Sequence, residues 1–431
     1  MNPPIRLAAA IVVAVVAACE TTTPSTVPSS TTTLPTSGPS LGAAGSPPPI
    51  ASVAPSPTSA PTSIPGADPI NPGPSLARAS SPMAQARELH AAVLLPDGRV
   101  MVVGGRQFDF GADSSVVDES LSSVEFFDPA SGTWTAGPSL HRWRERLSAV
   151  VLDDGRVLVV GGREGVGDTA MDTDPTAETF DPATNAWTVI RNVPFHVTDA
   201  IALESGNVLT IGHFLNHSAS QARSSVYHPK TGEFGPVRTI SGVSIDPAAT
   251  RLHDGRVLVA GGLRGYGEGE PEPRAEAAIY DPASAFWTQI ESMPNPQLDH
   301  AIATLTDGRA IVQGGGAAEL FDPTTGHWSL GAEPASFRGN TSLVVTGGRV
   351  LAIGASSGYL YSAPIIEAFD TADGTWATVT AFPVIDSMTT TVLTDGRVLI
   401  AGGTLECRFG QACDNVRVLP NAWLLDPADL P

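Results

Sequence analysis

The stretch Val93-Leu94-Leu95-Pro96-Asp97-Gly98-Arg99-Val100-Met101-Val102-Val103-Gly104-Gly105 returns six more times in near-copies. Each copy is an apolar run, a turn pair and a second apolar run ending in glycine, a pattern typical of a β-hairpin. The turn pairs are Asp97-Gly98, Asp154-Gly155, Ser205-Gly206, Asp254-Gly255, Asp307-Gly308, Gly347-Gly348 and Asp395-Gly396. These pairs predict type I′ turns, in which both central residues have positive φ. The sequence therefore predicts one supersecondary unit repeated seven times.

A glycine follows the first turn residue at a constant spacing in every copy: Gly104, Gly161, Gly212, Gly261, Gly314, Gly354 and Gly402. Six copies then continue into a second turn motif with a following aromatic, DPASGTW (128–134), DPATNAW (181–187), HPKTGEF (228–234), DPASAFW (281–287), DPTTGHW (322–328) and DTADGTW (370–376). Proline favours the start of a type I turn, and glycine or asparagine supplies its left-handed position. Each repeat is thus predicted to hold four short antiparallel strands.

The double glycine, the acidic-proline turn and the aromatic residue, recurring in register from about residue 74 to 431, resemble the kelch repeat. The resemblance implies an all-β fold, a seven-bladed kelch-type β-propeller. Gly212-His213 and Gly354-Ala355 depart from the pattern, and Phe234 replaces tryptophan. A β-sandwich would not repeat its turns at fixed offsets, and the period-2 apolar runs exclude a helical fold.

The propeller interpretation assigns roles to small and aromatic residues. The first strand of each blade should line the axis, and it carries small residues such as Ala91-Ala92, Ser148-Ala149 and Thr389-Thr390. The tryptophans should fill the wedges between blades. The last repeat lacks a fourth strand, so the segment Pro74 to Ser80 is predicted to pair onto it and cover its exposed edge.

The first residues have the features of an export signal: Arg6, an apolar stretch from Leu7 to Ala18, and then Cys19. Val16-Ala17-Ala18-Cys19 resembles the lipobox of bacterial lipoproteins, whose cysteine is acylated; an ordinary secretory signal with an incidental cysteine is the alternative. We expect a lipoprotein signal peptide at 1–18, a disordered Ser/Thr/Pro-rich stalk at 19–71 and the propeller at 72–431. The predicted location is extracytoplasmic, on a bacterial cell membrane.

Charge limits the possible partners. The chain has 44 Asp and Glu against 24 Lys and Arg, a formal net charge of −20, and no basic run. A polyanion such as nucleic acid is therefore excluded as a partner, and membrane contact is expected through the lipid anchor only. A monomer is expected.

Three enzyme classes share the propeller architecture, and each requires particular site residues. Galactose-oxidase-like copper enzymes use a tyrosine cross-linked to cysteine, a second tyrosine and two histidines, but only Cys407 and Cys413 follow the lipobox. Thr371 to Trp376 superficially suggests a sialidase Asp-box but has one residue too few. Kelch sialic-acid mutarotases are a closer comparison and would need acid and base groups at the axial mouth.

No cofactor and no metal site are predicted. The acidic clusters Asp168, Asp172, Asp174 and Glu268, Glu270, Glu272 lack the ligand order of an EF-hand calcium loop, and we interpret them as solvated surface. Cys407 and Cys413 flank five residues of the last long loop and, after export, are predicted to form a disulfide.

Polar residues precede each first strand and should converge at the axial mouth, where a pocket is expected. The predicted binding residues are Arg87, His90, Arg144, Arg146, His196, Asp299, His300, Arg338 and Asn340. His90, His300 and Asn340 share one register position before the turn. The loops from the second to the third strands lie on this same face, which should bind an unknown protein or glycan.

The sequence therefore predicts a membrane-anchored interaction module rather than an enzyme. The alternative is a carbohydrate-active enzyme of the kelch class, similar to mutarotases or epimerases, with a galactose-oxidase-like activity as the less favoured form.

Overall fold

The structure is a computed structural model that describes residues 77–110, 116–163, 176–214, 221–264, 272–297, 300–314, 316–334, 342–346, 348–354, 365–382, 385–405 and 417–429. All of them belong to the compact unit Ala67–Pro431. Over these residues the regular elements are β-strands and one 3-10 turn, Pro427–Asp429. The predicted signal peptide, the stalk and Cys19 lie outside the described residues.

The strands of the first half of the unit follow the predicted repeat. A short strand, β1 (Ala77–Ala79), precedes the first blade. Blade 1 contains β2 (Ala91–Leu94), β3 (Val100–Val103), β4 (Arg106–Phe110), β5 (Val116–Ser120), β6 (Val124–Asp128) and β7 (Thr133–Ala136). Blade 2 contains β8 (Glu145–Val151), β9 (Val157–Arg163), β10 (Ala177–Asp181) and β11 (Ala186–Ile190). Blade 3 contains β12 (His196–Ala202), β13 (Val208–His213), β14 (Arg223–His228), β15 (Glu233–Phe234) and β16 (Arg238–Thr239).

The second half continues in the same way. Blade 4 contains β17 (Ala248–Arg251), β18 (Val257–Ala260), β19 (Leu263–Arg264), β20 (Glu272–Pro273), β21 (Ala277–Asp281) and β22 (Phe286–Gln289). Blade 5 contains β23 (Ala301–Thr304), β24 (Ala310–Gln313), β25 (Glu319–Asp322) and β26 (His327–Leu330). Blade 6 contains β27 (Ser342–Thr346), β28 (Arg349–Ile353), β29 (Ile365–Phe369) and β30 (Trp376–Ala381). Blade 7 contains β31 (Ile385–Asp386), β32 (Thr389–Val392), β33 (Val398–Ala401), β34 (Thr404–Leu405), β35 (Arg417–Val418) and β36 (Ala422–Leu425).

The blades form a closed ring. Each blade is an antiparallel sheet whose first strand is innermost, as in the order β2-β3-β6-β7 of blade 1. Neighbouring innermost strands contact each other in sequence, β2 with β8, then β12, β17, β23, β27 and β32, and β32 contacts β2 again. The prediction of a seven-bladed all-β propeller is therefore confirmed for the described part of the chain.

The ring closes as the sequence predicts. Strand β1 pairs antiparallel with β36, with Ala77 opposite Leu425 and Ala79 opposite Trp423. Ser80 extends this pairing by donating its N–H to the carbonyl of Ala422 at 2.8 Å. Blade 7 thus combines β32, β33 and β36 with β1 from the other end of the unit, and the backbone groups on the outer edge of β36 are paired.

The hairpin turns differ from the prediction. Gly98 donates its N–H to Leu95 O at 2.9 Å, and Leu95 donates to Arg99 O at 2.8 Å, which gives a three-residue loop. Within this loop only Gly98 has a positive φ, +87°. The type I′ prediction was wrong, because the loop has three residues rather than two, and three-residue hairpin loops are typically a type I turn followed by one left-handed residue, here the glycine.

The arginine after the turn, which the sequence analysis overlooked, ties adjacent blades together. Asp97 accepts two bonds from the Arg99 guanidinium, at 2.9 and 2.7 Å. The same Asp-Gly-Arg pairing recurs at Arg156, Arg256, Arg309 and Arg397. Four of these guanidinium groups also donate to a backbone carbonyl in the second turn of the next blade: Arg156 to Pro229, Arg256 to Pro323, Arg309 to Thr371 and Arg397 to Pro129.

The aromatic residues fill the wedges, as predicted. The indole of Trp134 packs on Phe127 with ring centroids 5.0 Å apart and donates to Ser81 O at 2.8 Å. Equivalent ring pairs occur in the next five blades, Phe180–Trp187, Tyr227–Phe234, Tyr280–Trp287, Phe321–Trp328 and Phe369–Trp376. Each apolar cluster combines residues of two adjacent blades, so the core lies between the blades.

The long loops carry short strands of their own. Strand β4 pairs with β5, β19 with β20, and β34 with both β31 and β35. Strand β35 of blade 7 also lies against β4 of blade 1. The sequence analysis had treated these segments only as loops, because strands of two to five residues carry too little periodicity to be recognised.

Candidate functional site

In each blade, the start of the first strand and the end of the second strand lie at the same end of the ring. We call this end the axial mouth. Its paired positions carry mostly ionisable side chains: Glu88 opposite Arg106, Glu145 opposite Arg163, His196 opposite His213, and Asp386 opposite Thr404. This arrangement follows from the repeat, because the residue before the innermost strand occupies the same place in each blade. The mouth is therefore a polar rim on a rigid scaffold.

The backbone at the mouth is bent in the same way in four blades. Leu89, Arg146, Asp246 and Ser387 have φ values between +52° and +55°. Leu89 donates its N–H to Ser387 O at 3.1 Å, and Arg146 donates to Leu89 O at 2.8 Å, so blades 7, 1 and 2 are joined by main-chain bonds. A Cβ at Gly105 would lie 2.6 Å from Glu88 O, which explains the second glycine of the repeat.

One cluster at the mouth surrounds Arg106. Its guanidinium donates to the Glu88 carboxylate and lies 3.7 Å from Asp118 and 3.9 Å from Glu145. Desolvation opposes the charge of Arg106, but Glu88 and then Glu145 and Asp118 outweigh it and raise its pKa. Burial raises the pKa of Glu145, and Arg106 and Arg146 only partly offset this. Three carboxylates, Glu88, Asp118 and Glu145, therefore surround Arg106.

A second cluster lies between blades 3 and 4. The rings of His196 and His213 are 5.1 Å apart between centroids, and His213 Nδ1 lies 3.3 Å from Asp246 Oδ1. A bulge between Val197 and Asp199 sets the register that brings the two histidines opposite each other. The cluster therefore brings two imidazoles and one carboxylate together at the mouth.

Asp199 adds a further proton-binding group on the innermost strand of blade 3. It takes the place of Ala91 and Ser148 in the repeat, and its Oδ1 accepts the N–H of Ala200 at 2.8 Å. Part of the side chain reaches solvent, yet desolvation by the surrounding protein raises its pKa to about 6. The carboxyl is therefore poised to change charge close to physiological pH.

Two of the predicted binding residues are structural. Arg87 is fully buried and donates to Gly104 O at 2.7 Å, Ser123 O at 3.2 Å and the Glu125 carboxylate at 2.9 Å. Arg144, also buried, donates to Gly161 O and Thr176 O, both at 2.9 Å. These side chains brace the second and third strands within a blade, and this geometry does not expose them to a ligand.

The predicted histidines hold internal hydrogen bonds. His90 Nε2 lies 2.8 Å from Thr389 Oγ1, and desolvation followed by the charge of Arg87 lowers its pKa to about 3. His300 Nε2 donates to Ala260 O at 2.9 Å. His196 belongs to the mouth, as described above. Arg146 is exposed there, and Trp143, on the connection just before it, is 56% exposed.

The remaining predictions fall elsewhere. Asp299, Arg338, Asn340 and the predicted Cys407–Cys413 pair lie outside the described residues. The sequence analysis missed Glu88, Arg106, Glu145 and His213 as parts of the mouth. Glu88 and Glu145 occupy one register position with His196 and Asp386, and that recurrence was an available signal.

Comparison with known proteins agrees with the repeat. The Kelch motif family matches residues 89–141 and 146–194. The match covers blades 1 and 2 of the seven, and it agrees with the double glycine and the wedge aromatic that recur in register. The chain is a kelch-repeat β-propeller.

Curated relatives match this chain at low identity. Kelch-like protein 35 of Mus musculus is 25% identical over 51% of this chain and 36% of its own length. Kelch-like protein terF of Aspergillus terreus is 24% identical over 55% of this chain and 51% of its own length. Spermatocyte protein spe-26 of Caenorhabditis elegans is 26% identical over 46% of this chain and 32% of its own. The kelch propeller thus matches between a third and half of each relative.

A solved structure of similar fold is a novel fungal alcohol oxidase of the AA5 family in complex with copper. It superposes with a TM-score of 0.60 at 15% identity, over 81% of this kelch chain and 76% of the other. The likeness concerns the fold.

The residues of this kelch propeller were compared with the copper donors named above. Tyr227 and Tyr280, the tyrosines of the described part, are buried between blades, where they pack on Phe234 and Trp287. Both precede the second turn of their blade, at the end opposite the mouth. Across the described ranges, no group of three or more His, Cys, Asp or Glu side chains is arranged to hold a metal ion. The described residues therefore do not fit the copper site, and we derive no chemistry through it.

In the residues that the structure describes, no helix has the length and apolar character needed to cross a bilayer.

Proposed function

We propose that this kelch propeller is an interaction module whose long-loop face binds a protein or glycan partner. The observation that carries the proposal is the contrast between the two ends of the ring. The mouth collects Arg106 with three carboxylates and the His196–His213–Asp246 cluster. At the other end, the Asp-Gly-Arg turns are committed to bonds within and between blades. Diverse charged groups on a rigid rim favour binding there.

The test of this proposal is a binding screen of the full chain against glycans and candidate proteins, followed by substitution. Arg146→Ala and Trp143→Ala should each lower the affinity for the ligand that is found, by about tenfold for a contact at the centre of the interface. Lys230→Ala, an exposed change in a turn at the opposite end, is the matched control and should leave affinity unchanged. The reverse pattern would show that the other end of the ring is the binding face.

We further propose that the protein is an extracytoplasmic lipoprotein of a bacterial membrane. The lipobox-like Val16-Ala17-Ala18-Cys19 and the Ser/Thr/Pro-rich stretch that follows support this location. Acylation would supply the hydrophobic anchoring that an acidic propeller lacks, because anionic lipids repel it.

A second function, a carbohydrate-active enzyme similar to mutarotases or epimerases, is favoured by one observation. Asp199, with a pKa raised to about 6, lies in the same blade as His196 and His213 and offers proton-transfer chemistry at neutral pH. Exchange between the anomers of reducing sugars, followed by NMR, tests it. If exchange is no faster than in buffer, the enzymatic alternative is excluded and only the binding function remains.

A further inference from the structure

Trp143 differs from the other six tryptophans of the chain because it alone is exposed. The other six are buried or half-buried, and each packs on a phenylalanine or tyrosine ring. Across the described residues, Trp143 has no ring partner and belongs to none of the apolar clusters between blades. Isolated apolar side chains are common on protein surfaces, so this exposure has meaning only together with its surroundings.

The backbone that carries Trp143 is fixed by both adjacent blades. On either side of it, Leu140 and Leu147 are buried in the apolar cluster of blades 1 and 2. Four N–H groups of this connection are hydrogen-bonded at 2.8 to 3.2 Å: those of Leu140 and Arg144 to carbonyls of blade 1, and those of His141 and Arg142 to the Glu178 carboxylate of blade 2. An indole on a fixed backbone binds a ligand without the entropic cost of ordering its own chain.

Burial sorts the charges of residues 141–146, so that a cation rather than the carboxylate faces solvent. The Glu145 side chain is buried, 3.9 Å from the Arg106 guanidinium. Arg146 is exposed, and in the described part of the chain it acts on Glu145 from a distance, without an ion pair. The exposed charge of this segment is therefore positive, although the whole chain has a formal net charge of −20.

A third exposed side chain in this segment, His141, has a fixed orientation. Its ring is 55% exposed, and its Nδ1 lies 2.9 Å from an oxygen of the buried Glu178 carboxylate. Because Glu178 occupies Nδ1, Nε2 is the nitrogen that remains for a ligand. We call His141, Trp143 and Arg146 the Trp143 platform.

The Trp143 platform matches the chemistry of a carboxylated sugar. The C–H face of a sugar ring packs on an indole, while its hydroxyl and carboxylate groups extend toward polar side chains. A protein partner needs a larger apolar surface than one isolated indole. A dense polyanion would be repelled by the acidic chain. A single charge on an otherwise neutral glycan avoids this repulsion.

We propose that the Trp143 platform binds a glycan through one uronic acid residue. Trp143 stacks on the ring, the Arg146 guanidinium donates two parallel N–H bonds to the carboxylate, and His141 Nε2 bonds a hydroxyl group. This inference rests on the binding function proposed above and names the class of its ligand.

The test uses pairs of disaccharides that differ by one carboxylate, in which glucuronic, galacturonic or mannuronic acid replaces the matching neutral sugar. Saturation-transfer NMR with the full chain measures the affinity for each sugar. In at least one pair we expect the acidic member to bind about tenfold more tightly or better, because a hydrogen bond to a charged group is strong. This difference should shrink as salt is added, because salt screens an exposed charge pair.

Substitutions separate the roles of the platform residues. Arg146→Gln should lower the affinity for the acidic sugar to that for its neutral counterpart and leave the neutral one unchanged. Trp143→Ala should lower both affinities by about tenfold, whereas Trp143→Phe should retain most of the binding. Phe286→Ala is the matched control, since Phe286 is 62% exposed beside Arg238, at the start of β22 next to a second turn. It should change neither affinity.

The outcomes distinguish this inference from the broader binding function. Equal affinities within every pair, no binding of any pair, or binding that Trp143→Ala leaves unchanged would overturn the uronic acid site. Binding of tetraglutamate in place of the sugars, with the same loss in Arg146→Gln, would also overturn it, but the face would remain an interaction surface. Binding that is lost in Lys230→Ala and kept in the platform variants would contradict the binding face itself.

Discussion

At the scale of single residues, the kelch repeat places the same side chain in very different chemical surroundings. Arg87 and Arg99 lie in one blade, but Arg87 is fully buried against Glu125, whereas the Arg99 side chain is 40% exposed beside Asp97. Buried and exposed ion pairs contribute differently to stability, because only the buried carboxylate is left without water when its partner is removed. These two arginines therefore form a matched pair for experiment.

We predict that Arg87→Ala lowers the free energy of unfolding by about 3–5 kcal/mol, the usual cost of breaking a buried pair. Arg99→Ala should cost about 1 kcal/mol or less, because its pair is exposed. Urea titration of both variants measures the difference. Equal losses of stability in the two variants would argue against this role for Arg87.

Asp199 gives a second prediction at this scale. Its folded pKa of about 6 lies above the model-peptide value of 3.8, so the folded state binds the proton more tightly. The stabilisation that this proton confers is complete below about pH 4 and is lost as pH rises through 6. Asp199→Asn keeps the acceptor for Ala200 N–H and removes the charge, so it should stabilise the protein by about 1–2 kcal/mol at pH 7, after allowance for partial solvent access.

The measurement is urea unfolding of wild type and Asp199→Asn at several pH values from 4 to 7. Other titrating groups cancel in the difference between the two proteins. If the difference in unfolding free energy does not grow with pH, Asp199 is well solvated.

At the scale of elements, stability depends on how each short strand is paired. Strands of two to seven residues cannot bury much surface alone, and each apolar cluster is shared by two adjacent blades. The only described strand supplied from outside its blade's own stretch of sequence is β1, which pairs with β36. Its three residues therefore control an edge that would otherwise expose unpaired backbone.

We predict that a chain starting at residue 83 melts several degrees below one starting at residue 72, because only the longer one keeps β1 (Ala77–Ala79). The chain starting at residue 72 should melt like the full chain. Differential scanning calorimetry of the three proteins measures this. Equal melting temperatures for the two truncated chains would mean that β36 does not need its partner strand.

At the scale of the whole molecule, a closed propeller separates a structural end from a variable end. The Asp-Gly-Arg turns have little freedom, since their arginines bridge to the next blade. The long connections, by contrast, can change without opening the ring, as the short added strands β4, β5, β19 and β20 show.

We predict that Cys19 is acylated and that Cys19→Ala releases the protein from the membrane. The acyl chains would provide the anchoring, because the acidic chain has no attraction to anionic lipid. Fractionation and mass spectrometry of the mature N-terminus measure this. An unmodified chain in the medium, or unchanged membrane association of the variant, would exclude the anchor.

The sequence by itself determined the parts of this protein that rest on short-range chemistry. The seven repeats, the left-handed glycines and the wedge tryptophans follow from turn residues and strand alternation, which act over a few neighbouring positions. Asn185 shows this well: it stands where Gly132 stands, and its φ is +54°. The β1 closure followed from counting strands, because the last repeat lacks its fourth.

The tertiary structure decided the rest, because those features depend on contacts between distant residues. Arg87 looks like a mouth residue in the sequence, but Glu125 and the Gly104 carbonyl draw it into the blade. The pairing of His196 with His213 depends on a bulge, and the contact of His213 with Asp246 depends on how blades 3 and 4 pack. A linear pattern places residues near the axis, but burial and register decide whether each one supports the fold or faces a ligand.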